Sequence, residues 1–321
     1  MNNLKLPELS DIREAHKRIK PYIHKTPVLT SSQLNKIFGA NLFFKCENFQ
    51  KVGAFKYRGA TNAILSLSDE EVSRGVLTHS SGNHAAALSL AAGMRGAKAY
   101  IVMPENSPDV KKKAVAGYGA EITLCEPTLK AREETSSKII AEKGATFVHS
   151  YDNFYVICGQ GTSGLELITD YPDLEVVIAP IGGGGLMSGT VTAVKGIKPE
   201  IKVYGAEPLG ADDAYRSFNS GEYIPYHTPN TIADGLLVTL SMRTFEIIKR
   251  KVDDIFTASE ESIIECMRLI WERMKIIIEP SSAVTLAIIR ENPELCRGKN
   301  VGIILSGGNV DFAKLPFRQA T

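Results

Sequence analysis

Val176, Val177, Ile178, Ala179, Pro180 and Ile181 run without a break into Gly182, Gly183, Gly184 and Gly185, and then into Leu186, Met187 and Ser188. The continuous apolar run reads as a strand covered on both faces, and the apolar and small residues after the glycines read as a helix. Four consecutive glycines let the backbone approach a ligand with no side chain in the way. The helix beyond them aims free N–H groups and its positive end at the same place. The stretch therefore predicts a strand-to-helix turn that cradles a phosphate, since a plain turn needs only one or two glycines.

Further strands are expected at 41–46, 76–79, 99–103, 121–125, 202–206, 254–257 and 300–305, with helical patterns between them. The clearest helix lies at 260–275, where Ile263, Ile264, Met267, Ile270, Trp271 and Met274 recur at helical spacing. This alternation predicts an α/β fold of open, twisted, mainly parallel sheets wrapped by helices. Residues 71–150 hold enough strand and helix units for a small domain inserted in a large one made of 1–70 and 151–321. A ligand cleft is expected between the two. Turn-rich chain at 222–230, with Pro225 and Pro229, reads as a surface loop.

Composition narrows the partners. The 321 residues carry 37 Lys plus Arg against 36 Asp plus Glu, and the densest basic run is only 111–113. Such a balance excludes a field built for nucleic acid or an anionic membrane, which leaves a small molecule as the expected partner. Cys46, Cys125, Cys158, Cys266 and Cys296 are odd in number and form no CxxC pair. Neither a disulfide framework nor a cysteine-rich zinc site follows. Residues 1–22 contain no apolar stretch like that of a signal peptide, and no window reaches the roughly 20 apolar residues of a membrane span. A cytoplasmic location is expected.

Two more turns share the first one's character. Ser306, Gly307, Gly308 and Asn309 follow the strand at 301–305, while Ser80, Ser81, Gly82, Asn83 and His84 close the strand at 76–79 and open a helix. The second of these suits a carboxylate, because ligands of open α/β sheets collect at the carboxyl ends of the strands. Lys56, in Gly53, Ala54, Phe55, Lys56, Tyr57, Arg58, Gly59, Ala60, is the candidate reactive group. Apolar neighbours, a helix start and nearby Arg58 all disfavour its ammonium form and free the amine for a Schiff base. A competing reading takes Gly183, Gly185 and Ser188 as a near match to the dinucleotide fingerprint, with Glu207 holding a ribose. That would make an oxidoreductase, and a non-enzymatic ligand-binding protein would give Lys56 no special role.

Taken together, 55–59, 80–84, 182–185 and 306–309, with 26–29 and 159–162, resemble the serine/threonine dehydratase and serine racemase family in order and spacing. These are fold-type II pyridoxal phosphate enzymes, similar in fold to the tryptophan synthase β chain. The resemblance implies Lys56 as the Schiff-base lysine, and Gly182, Gly183, Gly184, Gly185 and Leu186 as the phosphate site. It implies Asn83 beside the cofactor's phenolic oxygen and Ser306 beside the pyridine nitrogen. Ser80, Ser81, Gly82, Asn83 and His84 would bind the substrate carboxylate, and Ser81 matches the second acid/base of the racemases.

Two carboxylates six residues apart in Glu207, Pro208, Leu209, Gly210, Ala211, Asp212, Asp213 suit a hard divalent cation. In the family the matching ligands of Mg²⁺, Ca²⁺ or Mn²⁺ are Glu207, the Ala211 carbonyl and Asp213. Ser31, Ser32, Lys51, Tyr118, Lys275 and Asn309 match the site of an ATP or AMP activator. This chain departs from the family at Ala54, Ala85, Ala86 and Val238, and with only a short run after Asp311, feedback by isoleucine is not expected. The resemblance thus implies a homodimer that dehydrates L-serine, L-threonine or L-threo-3-hydroxyaspartate to a 2-oxo acid and ammonia, with serine racemisation alongside. A dedicated serine racemase is the alternative within the family.

Overall fold

Ten strands build two sheets in the computed structural model, which describes residues 4–80, 82–107, 109–225 and 228–317. They are β1 (Val28–Leu29), β2 (Asn41–Cys46), β3 (Val76–His79), β4 (Ala99–Pro104), β5 (Glu121–Cys125), β6 (Thr146–Phe147), β7 (Val176–Pro180), β8 (Lys202–Pro208), β9 (Asp254–Ala258) and β10 (Asn300–Leu305). The larger sheet has the order β1-β2-β10-β7-β8-β9 and the smaller one β5-β4-β3-β6. Every pairing is parallel except β1 with β2. Two mainly parallel sheets wrapped by helices are what the alternation of patterns predicts.

The continuous apolar strands are covered on both faces. In β7, Val176 and Ile178 join one hydrophobic cluster with Val301, Ile303 and the helix Pro280–Glu291. Val177 and Ala179 join another with Val191, Val194 and Ile248. In the smaller sheet Ile101 and Met103 face Ala85, Leu88 and Ala92, while Tyr100 and Val102 face the opposite side with Leu77. Tyr226 and His227 of the turn-rich stretch lie outside the described residues. Among the described residues no helix is long and apolar enough to cross a membrane.

Close glycine contacts join three helices. A Cβ on Gly159, in Phe154–Asp170, would lie 2.5 Å from the Arg58 carbonyl in Lys56–Leu65. One on Gly189, in Gly185–Ile197, would lie 2.5 Å from the Gly161 N. Real Cβ atoms do not come so near, so only glycine lets these backbones touch. The helix that begins at Lys56 and the helix that begins at Gly185 are thereby packed on one common helix.

Candidate active site

The glycine run leaves β7 and enters its helix through Gly184, whose φ is +80°. Residues 182–187 are buried. Among the described residues, none accepts a hydrogen bond from the backbone N–H groups of 182–187. Six buried donors without a described acceptor at a helix start are a candidate anion site, because buried N–H groups are otherwise paired. The Tyr151 ring lies against the run, where a Cβ on Gly183 would come within 2.3 Å of it.

Lys56 is the first residue of its helix. Its Nζ donates to the Ser150 carbonyl at 3.1 Å and lies 5.1 Å from the centre of the Phe55 ring. Burial pulls its pKa down from 10.5 to about 8, with the Glu279 carboxylate opposing. Arg58 is not the cause expected from the sequence. Its guanidinium is fully buried and spent on Glu47 Oε2 at 2.7 Å, on Glu166 Oε1 and Oε2 at 2.8 Å, and on Thr26 and Thr162. Lys45 joins Glu166 at 2.6 Å. Two buried cations and two buried carboxylates thus pin the first turn of the lysine helix to β2 and to Phe154–Asp170. Ser150 and Tyr151 are chain neighbours, so one dipeptide touches both the lysine and the glycine run.

The turn after β3 faces the same place. The helix Asn83–Gly93 begins at Gly82, where a Cβ would meet open space, and the Ser80 Oγ accepts the Gly82 N–H at 3.4 Å. Ser81 lies outside the described residues. The His84 imidazole is buried with Nε2 at 3.2 Å from the Val148 carbonyl, and burial followed by Lys56 drives its pKa to about 3. A neutral ring so engaged leaves the backbone N–H as His84's contribution to a carboxylate site. Ser306 is buried with its Oγ 3.0 Å from the Ser282 Oγ, which also bonds the Gly307 N–H and carbonyl.

Glu279 belongs to none of the sequence motifs. It is buried, and both its oxygens accept from the Asn83 Nδ2, at 3.0 and 3.1 Å, while Oε2 also takes the Asn309 N–H at 3.2 Å. Burial and then Asp234 raise its pKa to about 7. Its one sequence signal is a Glu-Pro pair opening an apolar helix, with Pro280 at the first helical position.

Glu207 and Asp213 are both fully buried. Glu207 accepts the N–H groups of Ala214 at 3.2 Å and Tyr215 at 2.7 Å, and Asp213 accepts that of Leu240 at 3.1 Å. Burial raises the pKa of both, and the Asp213 carboxylate raises that of Glu207 further. Among the described residues no N–H is bonded to the Ala211 carbonyl. Glu207 lies in β8, buried, with one N–H group on each of its oxygens. Of the six nucleotide-site candidates, Lys51 and Asn309 meet at one turn, where the Asn309 Nδ2 donates to the Val52 carbonyl at 2.8 Å. Ser31 caps the helix Ser32–Phe38 and Lys275 ends Glu260–Met274 at φ +60°. Among the described residues no hydrogen bond joins Ser31, Ser32, Tyr118 or Lys275 to that turn.

A buried amine of lowered pKa, tied to a glycine anion cradle and to a second helix start rich in N–H groups, defines an enzyme that holds a phosphorylated carbonyl cofactor on lysine and works on an acid. The donor set fits pyridoxal phosphate, and the chain belongs to the pyridoxal-phosphate dependent enzyme family, whose model matches residues 19–307. A serine racemase of Dictyostelium discoideum is 55% identical over 312 residues, spanning 96% of this chain and 96% of that one. A beta-hydroxyaspartate dehydratase of Paracoccus denitrificans is 52% identical over 312 residues, spanning 97% and 99%. The structure of maize serine racemase superposes with a TM-score of 0.94 at 44% identity, spanning 96% and 95%. The fold is that of the fold-type II enzymes, and the dinucleotide and non-enzymatic readings fall away.

Proposed function

We propose that the enzyme eliminates the β-hydroxyl of 3-hydroxy amino acids such as L-threo-3-hydroxyaspartate, L-serine or L-threonine. The net change yields a 2-oxo acid and ammonia, the water lost from Cβ being returned when the nitrogen leaves. The observation that carries the reading is the pair of helix starts, at 182–187 and at 82–84, set around the buried Lys56 amine. The 52% identity to the Paracoccus dehydratase supports the same substrate class.

Pyridoxal phosphate, when bound, supplies an electron sink that acidifies the α-carbon of the amino acid. The chain's own residues do the rest. N–H groups of 182–187 hold the phosphate, and those of the turn after β3 hold the substrate carboxylate. Lys56, with an amine near neutrality, takes and returns the α-proton on one face. Ser306 presents a neutral hydroxyl to the pyridine nitrogen, with no carboxylate to keep that nitrogen protonated. Ser81 is the acid/base of the opposite face, which opens serine racemisation, a second reading favoured by the 55% identity to the Dictyostelium racemase.

Glu207, Asp213 and the Ala211 carbonyl are the proposed ligands of Mg²⁺, Ca²⁺ or Mn²⁺. The raised carboxylate pKa values support a cation there, because two buried like charges are costly without one. An ATP or AMP site at Lys51 and Asn309, a homodimer, a cytoplasmic location, and a small domain at 71–150 between 1–70 and 151–321 complete the proposal. Measuring D-serine against pyruvate formed from L-serine tests the balance. Pyruvate in excess supports the lyase, pyruvate without D-serine removes the racemase, and D-serine without pyruvate overturns the lyase.

A further inference from the structure

Asn83 sits between two groups that together fix which way its carboxamide faces. The order of dependence starts at Val52, a β-branched residue with φ +59°, next to Gly53 at φ +70°. Backbone in this region is strained for valine and persists only where its surroundings hold it. The turn aims the Val52 carbonyl at Asn309, and a carbonyl only accepts, so Asn309 must present Nδ2 to it at 2.8 Å. The same Nδ2 reaches Asn83 at 2.9 Å, so the atom it meets must be the Asn83 Oδ1. The Asn83 Nδ2 then faces the Glu279 carboxylate at 3.0 and 3.1 Å. Reversing the Asn83 carboxamide would set acceptor against carboxylate and donor against donor at once.

Glu279 is itself held. Its N–H donates to the Gly307 carbonyl at 3.0 Å, and its Oε2 takes the Asn309 N–H. A Cβ on Gly307 would lie 2.9 Å from its Oε1, so the carboxylate rests on glycine backbone. We infer that Glu279 is a positioning residue: with Asn309 it locks the Asn83 carboxamide in one orientation, leaving the second Nδ2–H as a donor to the cofactor's phenolic oxygen. This role rests on the proposed pyridoxal phosphate chemistry. It gives a buried acid, absent from every sequence motif, a part in the site that acts through Asn83.

A double-mutant cycle on the holoenzyme tests it, read by the dissociation constant of pyridoxal phosphate and by the position of its visible absorption band. Loss of a hydrogen bond between charged or polar partners predicts that Asn83→Ala and Glu279→Gln each weaken cofactor binding about tenfold. Both should shift the visible band in the same sense. The double variant should bind no more weakly than Asn83→Ala alone, because groups acting through one another are not additive. Asn309→Ala, combined with Asn83→Ala, gives the same cycle where Glu279→Gln does not fold. An unchanged constant and band in Glu279→Gln, or two effects that multiply in the double variant, would overturn the inference. A wild-type protein that takes up no cofactor would instead defeat the pyridoxal phosphate chemistry on which it rests.

Discussion

The Nζ of Lys56 donates to the backbone carbonyl of Ser150 at 3.1 Å, so the amine proposed to hold the cofactor is aimed by main chain and not by an ion pair. The cofactor aldehyde needs the neutral amine. Because burial lowers this pKa from 10.5 to about 8, the neutral fraction rises with pH and levels off above 8. The rate of cofactor attachment to the apoprotein should therefore have its half-point near pH 8, falling about tenfold per unit below it. Stopped-flow absorbance across roughly pH 6 to 11, a span that covers both the perturbed and the ordinary lysine, reads this. A half-point at the ordinary lysine value would contradict it.

Tyr151 covers the glycine run so closely that a single methyl has no room. Gly183→Ala would place its Cβ within 2.3 Å of the ring. Overpacking of that kind costs about 1–3 kcal/mol, and here it falls on the proposed phosphate cradle. We expect pyridoxal phosphate to bind at least about tenfold more weakly while the circular dichroism of the fold persists. Equal cofactor affinity in wild type and variant would show that the run is only a turn.

Arg58 balances Glu47 and Glu166 in a buried site. Removing one partner of a buried pair strands the other charges and costs about 3–5 kcal/mol. Arg58→Met should lower unfolding stability by that amount in urea titration. A loss below about 1 kcal/mol, the range of exposed ion pairs, would contradict the picture of a buried cluster pinning the lysine helix.

At the pair formed by Glu207 in β8 and Asp213 at the start of the helix Asp213–Ser220, Mg²⁺ should raise the melting temperature of the wild-type protein by ligand linkage. Asp213→Ala should abolish that response, and chelation should lower activity. Thermal melts with and without the ion check the first two. Activity unchanged after thorough chelation would leave the two residues as buried carboxylates with no metal role.

Sequence patterns located β2, β3, β5 and β10 to the residue; in β10 a continuous apolar run leaves little ambiguity about a strand covered on both faces, while β5 is a partly exposed edge strand. They missed β1 and β6, each two residues long, for which no alternation can be counted. The helix expected to close at Lys275 ends at Met274, since Lys275 turns left-handed. Lys56 and the glycine run were legible because each stands in a local motif. Glu279, Ser150, Tyr151 and two partners of Arg58, Thr162 and Glu166, were not, because they reach the site from chain separated by about a hundred residues or more and meet only through packing. The Arg58 charge was visible, but its direction was not: two residues on from Lys56, it lies on another face of the helix.

In the proposed reaction Lys56, holding pyridoxal phosphate, is the group on which the net loss of ammonia from a 3-hydroxy amino acid, by way of dehydration and rehydration, depends. The most direct measurement supplies the purified, cofactor-loaded protein and Lys56→Ala with L-threo-3-hydroxyaspartate, L-serine and L-threonine in turn, and quantifies 2-oxo acid and ammonia. Equimolar release of both from at least one substrate by the wild type, and none by Lys56→Ala, is the predicted result. A coloured wild-type protein that releases neither product from any of the three would contradict it.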